Sequence, residues 1–178
     1  MKTETSSFKF HFVDMTDNPT PVFAEVLDYW EKKRGDRFAP AWTDINMMEL
    51  PAKFLPYCIV VDFDGSSGPI HYRYYGSAVA TLHGYELSNR TIDEMQPPSF
   101  RAQVIKQYRL VQEKRMPMYF AAHYPHLIGR RSHQHLLRLP LSNDGETVTN
   151  VLSVQDVSDD SHELADYYAR MKESPTDD

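Results

Sequence analysis

The stretch YCIVVDFDGSSGPIHYRYY, residues 57–75, decides the fold of this 178-residue chain. It begins with a continuous apolar run rich in β-branched residues, which is typical of a central strand buried on both faces. Residues 64–69 are rich in Gly, Ser and Pro and favour a turn, and Ile70–Tyr75 is typical of an antiparallel partner strand. The stretch therefore predicts a β-hairpin.

Three further β-rich segments lie in the second half of the chain, at residues 118–124, 132–141 and 147–157. The sequences PHLIGRR and SNDGE separate them, and the Asn-Asp-Gly of the second is a turn signal. Together with the hairpin, these segments predict a five-stranded antiparallel sheet.

Helices are predicted around these strands. Thr20 and Pro21 suit the start of a first helix, and Gly35 suits its end. A short helix at residues 77–83 and a longer one beginning at residues 97–99 follow the hairpin, and an amphipathic helix ends the chain. This order of elements predicts an α+β fold in which helices cover one face of the sheet, with flanking helices at both ends.

Composition and charge exclude several classes of function. The chain carries 19 Lys and Arg against 25 Asp and Glu. Seven of these acids and two of the bases lie in residues 158–178, so residues 1–157 carry 18 acids and 17 bases. A nearly neutral body offers no bulk attraction to a phosphate backbone or to an anionic membrane. We therefore expect neither nucleic acid nor a membrane as a partner.

The domain organisation is predicted to be simple. Residues 1–19 are interpreted as an irregular segment, residues 20–157 as one domain with its N-terminal helix, and residues 158–178 as an acidic helix and tail. Cys58 is the single cysteine, which excludes an internal disulfide framework. The sequence shows no run of about 20 apolar residues and no signal-peptide pattern, which predicts a cytoplasmic protein.

Three segments carry a resemblance: DINMMELPAKFLPYCIVVDF, HYRYYGSAVATLHGYELSNRTIDEM and LLRLPLSNDGETVTNVLSV, preceded by the Tyr-Trp helix DYWEKKRG. Over about residues 22–157 the chain resembles the bacterial, mostly alphaproteobacterial, single-domain PAS family. The resemblance implies the PAS fold, with a sheet in the order 2-1-5-4-3 and helices cupping one face. It also implies a sensory or interaction role.

A PAS fold implies a cavity between the concave sheet face and the neighbouring helices. The predicted pocket residues come from alternate strand positions and from the inward stripes of helices: Tyr72, Tyr74, Met95, Phe100, Val104, Tyr108, Tyr119, Leu137 and Leu152. Which strand positions face inward stays open, because a one-residue shift of register moves every side chain to the opposite face. A closed core filled by the same residues is the alternative.

The residues indicate no particular cofactor, which therefore stays unknown. A flavin photoadduct needs a cysteine in an Asn-Cys-Arg-Phe type helix motif, whereas Cys58 lies in the first strand of the hairpin. Haem is disfavoured because residues 99–115 of the long helix contain no histidine, which leaves His83 on the short helix. His123, His133 and His135 are weak candidates for metal ligands on neighbouring strands, and we assign no metal.

The first helix carries more apolar surface than one contact would cover. Its apolar residues are Val22, Phe23, Val26, Leu27, Tyr29 and Trp30. We predict a homodimer that forms through this helix. Packing of the helix onto its own sheet is an equal alternative.

The function predicted from these features is a PAS-type sensory or interaction module in bacterial signalling. Its cavity is a candidate site for a small ligand, and its output is contact with an unidentified signalling protein. It is predicted not to be an enzyme, since no phosphate loop, nucleophile elbow or HExxH motif occurs. The alternative is a small isomerase-type or cyclase-type enzyme, or a ligand carrier, on the same curved sheet.

Overall fold

The structure is a computed structural model that describes residues 9–13, 21–123, 133–156 and 161–173. Within them, the strands are β1 (Lys9–Val13), β2 (Cys58–Phe63), β3 (Ile70–Tyr75), β4 (Met118–His123), β5 (His133–Leu141) and β6 (Asn150–Asp156). The α-helices are α1 (Ala24–Arg34), α2 (Ser77–His83), α3 (Pro98–Lys114) and α4 (Ser161–Glu173). None of these helices combines the length and apolar character needed to cross a bilayer.

The strands form one antiparallel sheet in the order β1-β4-β5-β6-β2-β3. Without β1, this order matches the predicted five-stranded arrangement, and the predicted hairpin is β2 and β3. The prediction that residues 1–19 are irregular is wrong for Lys9–Val13, which pairs with β4 at the sheet edge. A five-residue edge strand is too short for its pattern to distinguish it from a polar segment.

A β-bulge in the hairpin sets which side chains of β3 face the helices. Val61 pairs with Tyr72 and Val60 pairs with Tyr74, so Arg73 is an extra residue on β3. The bulge interrupts the alternation of the strand, and Tyr72 and Tyr75 therefore pack in the same apolar cluster.

The sheet separates two apolar clusters. We call the face covered by α2, α3 and α4 the inner face, and the face covered by α1 the outer face. The inner cluster includes Tyr72, Val104 and Tyr168. The outer cluster includes Phe23, directly before α1, and Trp30 of α1, together with the opposite side chains of the central strands. Both faces of the central strands are thus buried, as the continuous apolar run in β2 predicts.

Gly76 positions α2 against the beginning of β2. Its backbone N–H donates to the Cys58 carbonyl at 2.9 Å, and a Cβ atom here would lie 2.2 Å from the Pro56 carbonyl oxygen. Only glycine allows this close approach of two backbones. Gly84 then ends the helix in a left-handed conformation, with φ +70°. The last residue of α2 is therefore His83, held on the inner face.

Candidate functional site

A small cavity lies between the inner face of the sheet and helices α2, α3 and α4. It leaves about 20 Å³ for the centre of a water-sized sphere, which is room for about one water molecule. Its lining consists of Ile59, Tyr72, His83, Met95, Phe100, Val104, Tyr108, Ala122, Gln134, Leu136, Arg138, Gln155 and Tyr168. The wall is mostly apolar and carries a few polar groups, which is the usual composition of a small-molecule site.

Arg138 brings a positive charge into this cavity from β5. It is only 2% exposed, and its guanidinium lies 4.0 Å from the centre of the Tyr108 ring. Its Nε and Nη2 donate to Gln107 Oε1 at 3.0 and 2.8 Å, and its Nη1 donates to Ser153 Oγ at 2.8 Å. Among the described residues no carboxylate forms an ion pair with it. Within the described part of the chain, the groups that solvate this buried charge are neutral.

Two buried polar atoms on the cavity wall have no hydrogen-bond partner among the described residues. They are the Tyr72 hydroxyl and Nε2 of His83, which belong to side chains 1% and 3% exposed. Nδ1 of the same imidazole is hydrogen-bonded to the Tyr75 hydroxyl. Burial raises the pKa of Tyr72 well above its usual value. Burial, helped by the Lys172 ammonium, lowers the pKa of His83 to about 3. Both side chains are therefore neutral near pH 7.

Helix α4 closes one side of the cavity. The Tyr168 ring packs against the His83 ring with 4.4 Å between centroids, and its hydroxyl donates to Gln134 Oε1 at 3.3 Å. Gln134 Nε2 in turn donates to Gln155 Oε1 at 2.9 Å. Lys172 Nζ donates to the His83 carbonyl at 2.9 Å and so joins α4 to the end of α2. The cavity wall therefore includes α4, the helix that follows the last strand of the sheet in the sequence.

The structure brings five of the nine predicted pocket residues to the cavity: Tyr72, Met95, Phe100, Val104 and Tyr108. The other four lie on the outer face: Tyr74, Tyr119, Leu137 and Leu152. Their assignment to the pocket is wrong because in β4, β5 and β6 the other set of alternate residues faces the cavity. In β3 the bulge places Tyr74 on the opposite face from Tyr72. The hydroxyl of Tyr74 donates instead to the Leu55 carbonyl at 2.9 Å.

The polar residues of the cavity were missed by the sequence prediction. These are Gln134, Arg138 and Gln155 on the strands, with His83 and Tyr168 on the helices. One signal was available, because Arg138 is the single charged residue within the apolar run LLRLPL. A charge inside an otherwise apolar stretch of a strand marks a polar site on one face of that strand.

The position of Cys58 and the size of the cavity limit which cofactors this structure can hold. Cys58 faces the outer cluster, on the opposite side of the sheet from the cavity, and burial raises the pKa of its thiol to about 12. This thiol cannot reach a ligand in the cavity. A space for about one water molecule also has no room for a flavin or a haem unless several walls move.

The three candidate metal ligands lie on neighbouring strands. The backbone of His123 pairs with that of His133, and Ala121 pairs with His135. The side chains of His123 and His133 lie outside the described residues. Among the residues whose side chains are described, no group of three His, Cys, Asp or Glu is placed to hold a metal ion.

Three of the six candidate dimer residues are covered by the chain itself. Phe23, Val26 and Trp30 are buried against the outer face of the sheet. Val22, Leu27 and Tyr29 are only partly buried beside them. The homodimer stays a prediction, and in this structure only the second group of residues has surface to offer a partner.

Comparison with known proteins gives the family. A family model described as PAS domain matches residues 19–155, and the chain therefore belongs to the PAS domain family. The strand order and the cavity on the helical side of the sheet describe the same PAS fold. No curated protein is significantly similar to the chain.

Two solved structures are similar to this chain at low identity. One, described as "Flavin Analogue Sheds Light on Light-Oxygen-Voltage Domain Mechanism", is 17% identical, with a TM-score of 0.37, and the match covers 66% of this chain and 87% of that one. The other, "Structure of an RNA-binding Light-Oxygen-Voltage Receptor", is 15% identical, with a TM-score of 0.41, over 93% of this chain and 43% of that one. This chain thus spans less than half the length of the second structure.

Proposed function

We propose that this chain is a sensory PAS module that binds a small molecule in the inner-face cavity. The observation that supports it is the convergence on one cavity of a buried guanidinium, Arg138, and two unpartnered polar atoms, from Tyr72 and His83. A buried polar group without a partner costs about 1–3 kcal/mol of stability. A bound molecule that satisfies these groups would recover this free energy in the liganded state.

We propose that ligand binding in the cavity changes the position of α4 and that this movement produces the response. A ligand beside Tyr168 would change the contacts that hold this helix on His83 and Gln134. Differential affinity for two positions of α4 is sufficient to shift the population between them. The output would then be a contact with another signalling protein, through the acidic C-terminal segment or through a homodimer.

Binding is supported better than catalysis. No Asp or Glu is among the described residues that line the cavity, so no carboxylate is positioned as a general base. His83 has a pKa of about 3 and is a weak base near pH 7. A small enzyme on this fold would need a stronger proton acceptor than the described cavity wall offers.

Filling the cavity tests this function. Ala122 lines the cavity, whereas Ala121 is the neighbouring residue of β4 and faces the other way. We expect native mass spectrometry of the purified chain to detect a retained small molecule, and Ala122→Val to remove it because the added methyl groups occupy the free space. Ala121→Val adds the same volume outside the cavity and should retain the molecule.

The outcome that rejects the proposal is equally specific. If the purified chain carries no added mass, and no compound of a soluble metabolite library raises its unfolding temperature, the cavity is only a gap in the core. Equal retention by Ala122→Val and Ala121→Val would place the ligand elsewhere on the molecule.

A further inference from the structure

The hydrogen-bond inventory of Arg138 leaves donors for a ligand. A guanidinium has five N–H groups. Gln107 Oε1 accepts from Nε and from Nη2, and Ser153 Oγ accepts from Nη1. Among the described residues, one N–H group therefore remains without an acceptor on each terminal nitrogen. With one donor on each terminal nitrogen, the guanidinium can give two hydrogen bonds to a carboxylate.

The positive charge of Arg138 also lacks a negative counter-charge among the described residues. Its described surroundings are an amide, a hydroxyl and the rings of Tyr108 and Phe120, and these neutral groups carry no formal negative charge. Buried charges in proteins are normally paired, because moving a lone charge out of water costs several kcal/mol. An anion in the cavity would supply the missing charge.

The rest of the wall limits what kind of anion fits. The Tyr72 hydroxyl is protonated and has no partner among the described residues, so its one O–H group is available to donate to an acceptor. Met95, Phe100 and Val104 form an apolar surface that favours hydrocarbon over water. A phosphate dianion would bring two negative charges to one guanidinium and leave one of them uncompensated.

From these contacts we propose that the cavity is a receptor site for a small monocarboxylate, with its carboxylate held by Arg138 and Tyr72 and its short hydrocarbon part against the apolar wall. This inference rests on the proposed function, whose cavity it specifies. The free space is that of about one water molecule, so the packed walls must move to admit a carboxylate, and the shortest acids require the least movement.

The first experiment compares charged and uncharged ligands of one shape. Thermal unfolding and isothermal titration calorimetry are carried out with sodium formate, acetate, propionate, butyrate and hexanoate, and with the matching primary amides, at constant ionic strength set with sodium chloride. We expect saturable binding of the short carboxylates and at least tenfold weaker binding of their amides, which lack the charge. Hexanoate should bind more weakly than the best short acid.

The second experiment uses two tyrosines that differ in position only. Tyr72 and Tyr119 both have a buried hydroxyl without a partner, but the first lines the cavity and the second lies on the outer face. Changing either to Phe removes an unsatisfied hydroxyl and should raise the unfolding temperature of the free protein. Tyr72→Phe should weaken carboxylate binding about tenfold, whereas Tyr119→Phe should leave it unchanged. Arg138→Met should abolish binding. If that variant does not fold, the comparison of Tyr72→Phe with Tyr119→Phe tests the inference.

Several results would overturn the inference. Amides that bind as tightly as carboxylates would show that the charge of Arg138 does not contribute to ligand binding. Inorganic phosphate or chloride binding in place of the short acids would assign a different ligand. Equal affinity in the two tyrosine variants would remove Tyr72 from the site. If the chain retains a neutral molecule that acids do not displace, the sensory function stands and this inference fails. If neither retention nor titration shows a ligand, both fail.

Discussion

Replacing Trp30 by alanine will lower the free energy of unfolding by about 3–5 kcal/mol, the range for deleting a large buried aromatic side chain. The indole is 1% exposed in the outer cluster, where it joins α1 to the sheet. Its Nε1 donates to the Pro140 carbonyl of β5 at 2.8 Å, and the variant leaves this carbonyl without its partner. Urea unfolding of both proteins measures the loss.

The other tryptophan supplies the matched control. Trp42 is only partly buried, beside the guanidinium of Arg73. We expect Trp42→Ala to cost about 1 kcal/mol. Equal losses in the two variants would contradict the packing of α1 on the sheet.

Repeating the measurement over a range of protein concentrations tests the homodimer, because the unfolding midpoint of a dimer rises with concentration.

The fold could be predicted to a large extent because its signals are local. The β-branched run of β2, the turn after it and the apolar stripe of α3 each specify an element over a few residues. The order of the strands came from the family resemblance and not from any pattern within one strand. The edge strand β1 escaped prediction because five residues beside a polar segment carry too weak a pattern.

The site could be predicted mainly where α3 lines it, and Tyr72 was the one strand residue placed correctly. Helix periodicity shows which side of α3 is apolar, and Phe100, Val104 and Tyr108 were therefore placed correctly. The strands β5 and β6 are buried on both faces and carry apolar residues on each of them, so alternation does not show which residues face inward. Leu137 and Leu152 were placed on the wrong face for this reason.

The wide apolar stripe of α1 was ambiguous for a related reason. An amphipathic helix requires an apolar surface to cover it, but the pattern does not show whether the chain or a second copy supplies that surface. Phe23 and Trp30 meet the outer face of the chain's own sheet. With Val26, they are the half of the six stripe residues that the chain itself buries, and Val22, Leu27 and Tyr29 stay partly buried.

Acidification will destabilise the chain through His83. Burial among aromatic rings, together with the ammonium of Lys172, lowers the pKa of this imidazole from about 6.5 to about 3. Between these two values the unfolded chain binds a proton that the folded chain does not. The contribution to stability is therefore complete above about pH 6.5 and is lost as the pH falls toward 3. The loss is about 1.4 kcal/mol per pH unit, or about 2–3 kcal/mol by pH 4.5.

The variant His83→Gln isolates this effect from the other titrating groups. Its amide has no proton to gain in this range, and its oxygen can still accept from the Tyr75 hydroxyl that now bonds Nδ1. Urea unfolding of both proteins at pH 7, 5.5 and 4.5 gives the difference between their stabilities, and the remaining carboxylates and histidines largely cancel because the two chains share them. We expect the advantage of the wild type over the variant to shrink steadily with acidification. A difference that stays constant from pH 7 to 4.5 would mean that His83 is protonated in the folded chain as readily as in the unfolded one, and would contradict its placement against Tyr168 beneath α4.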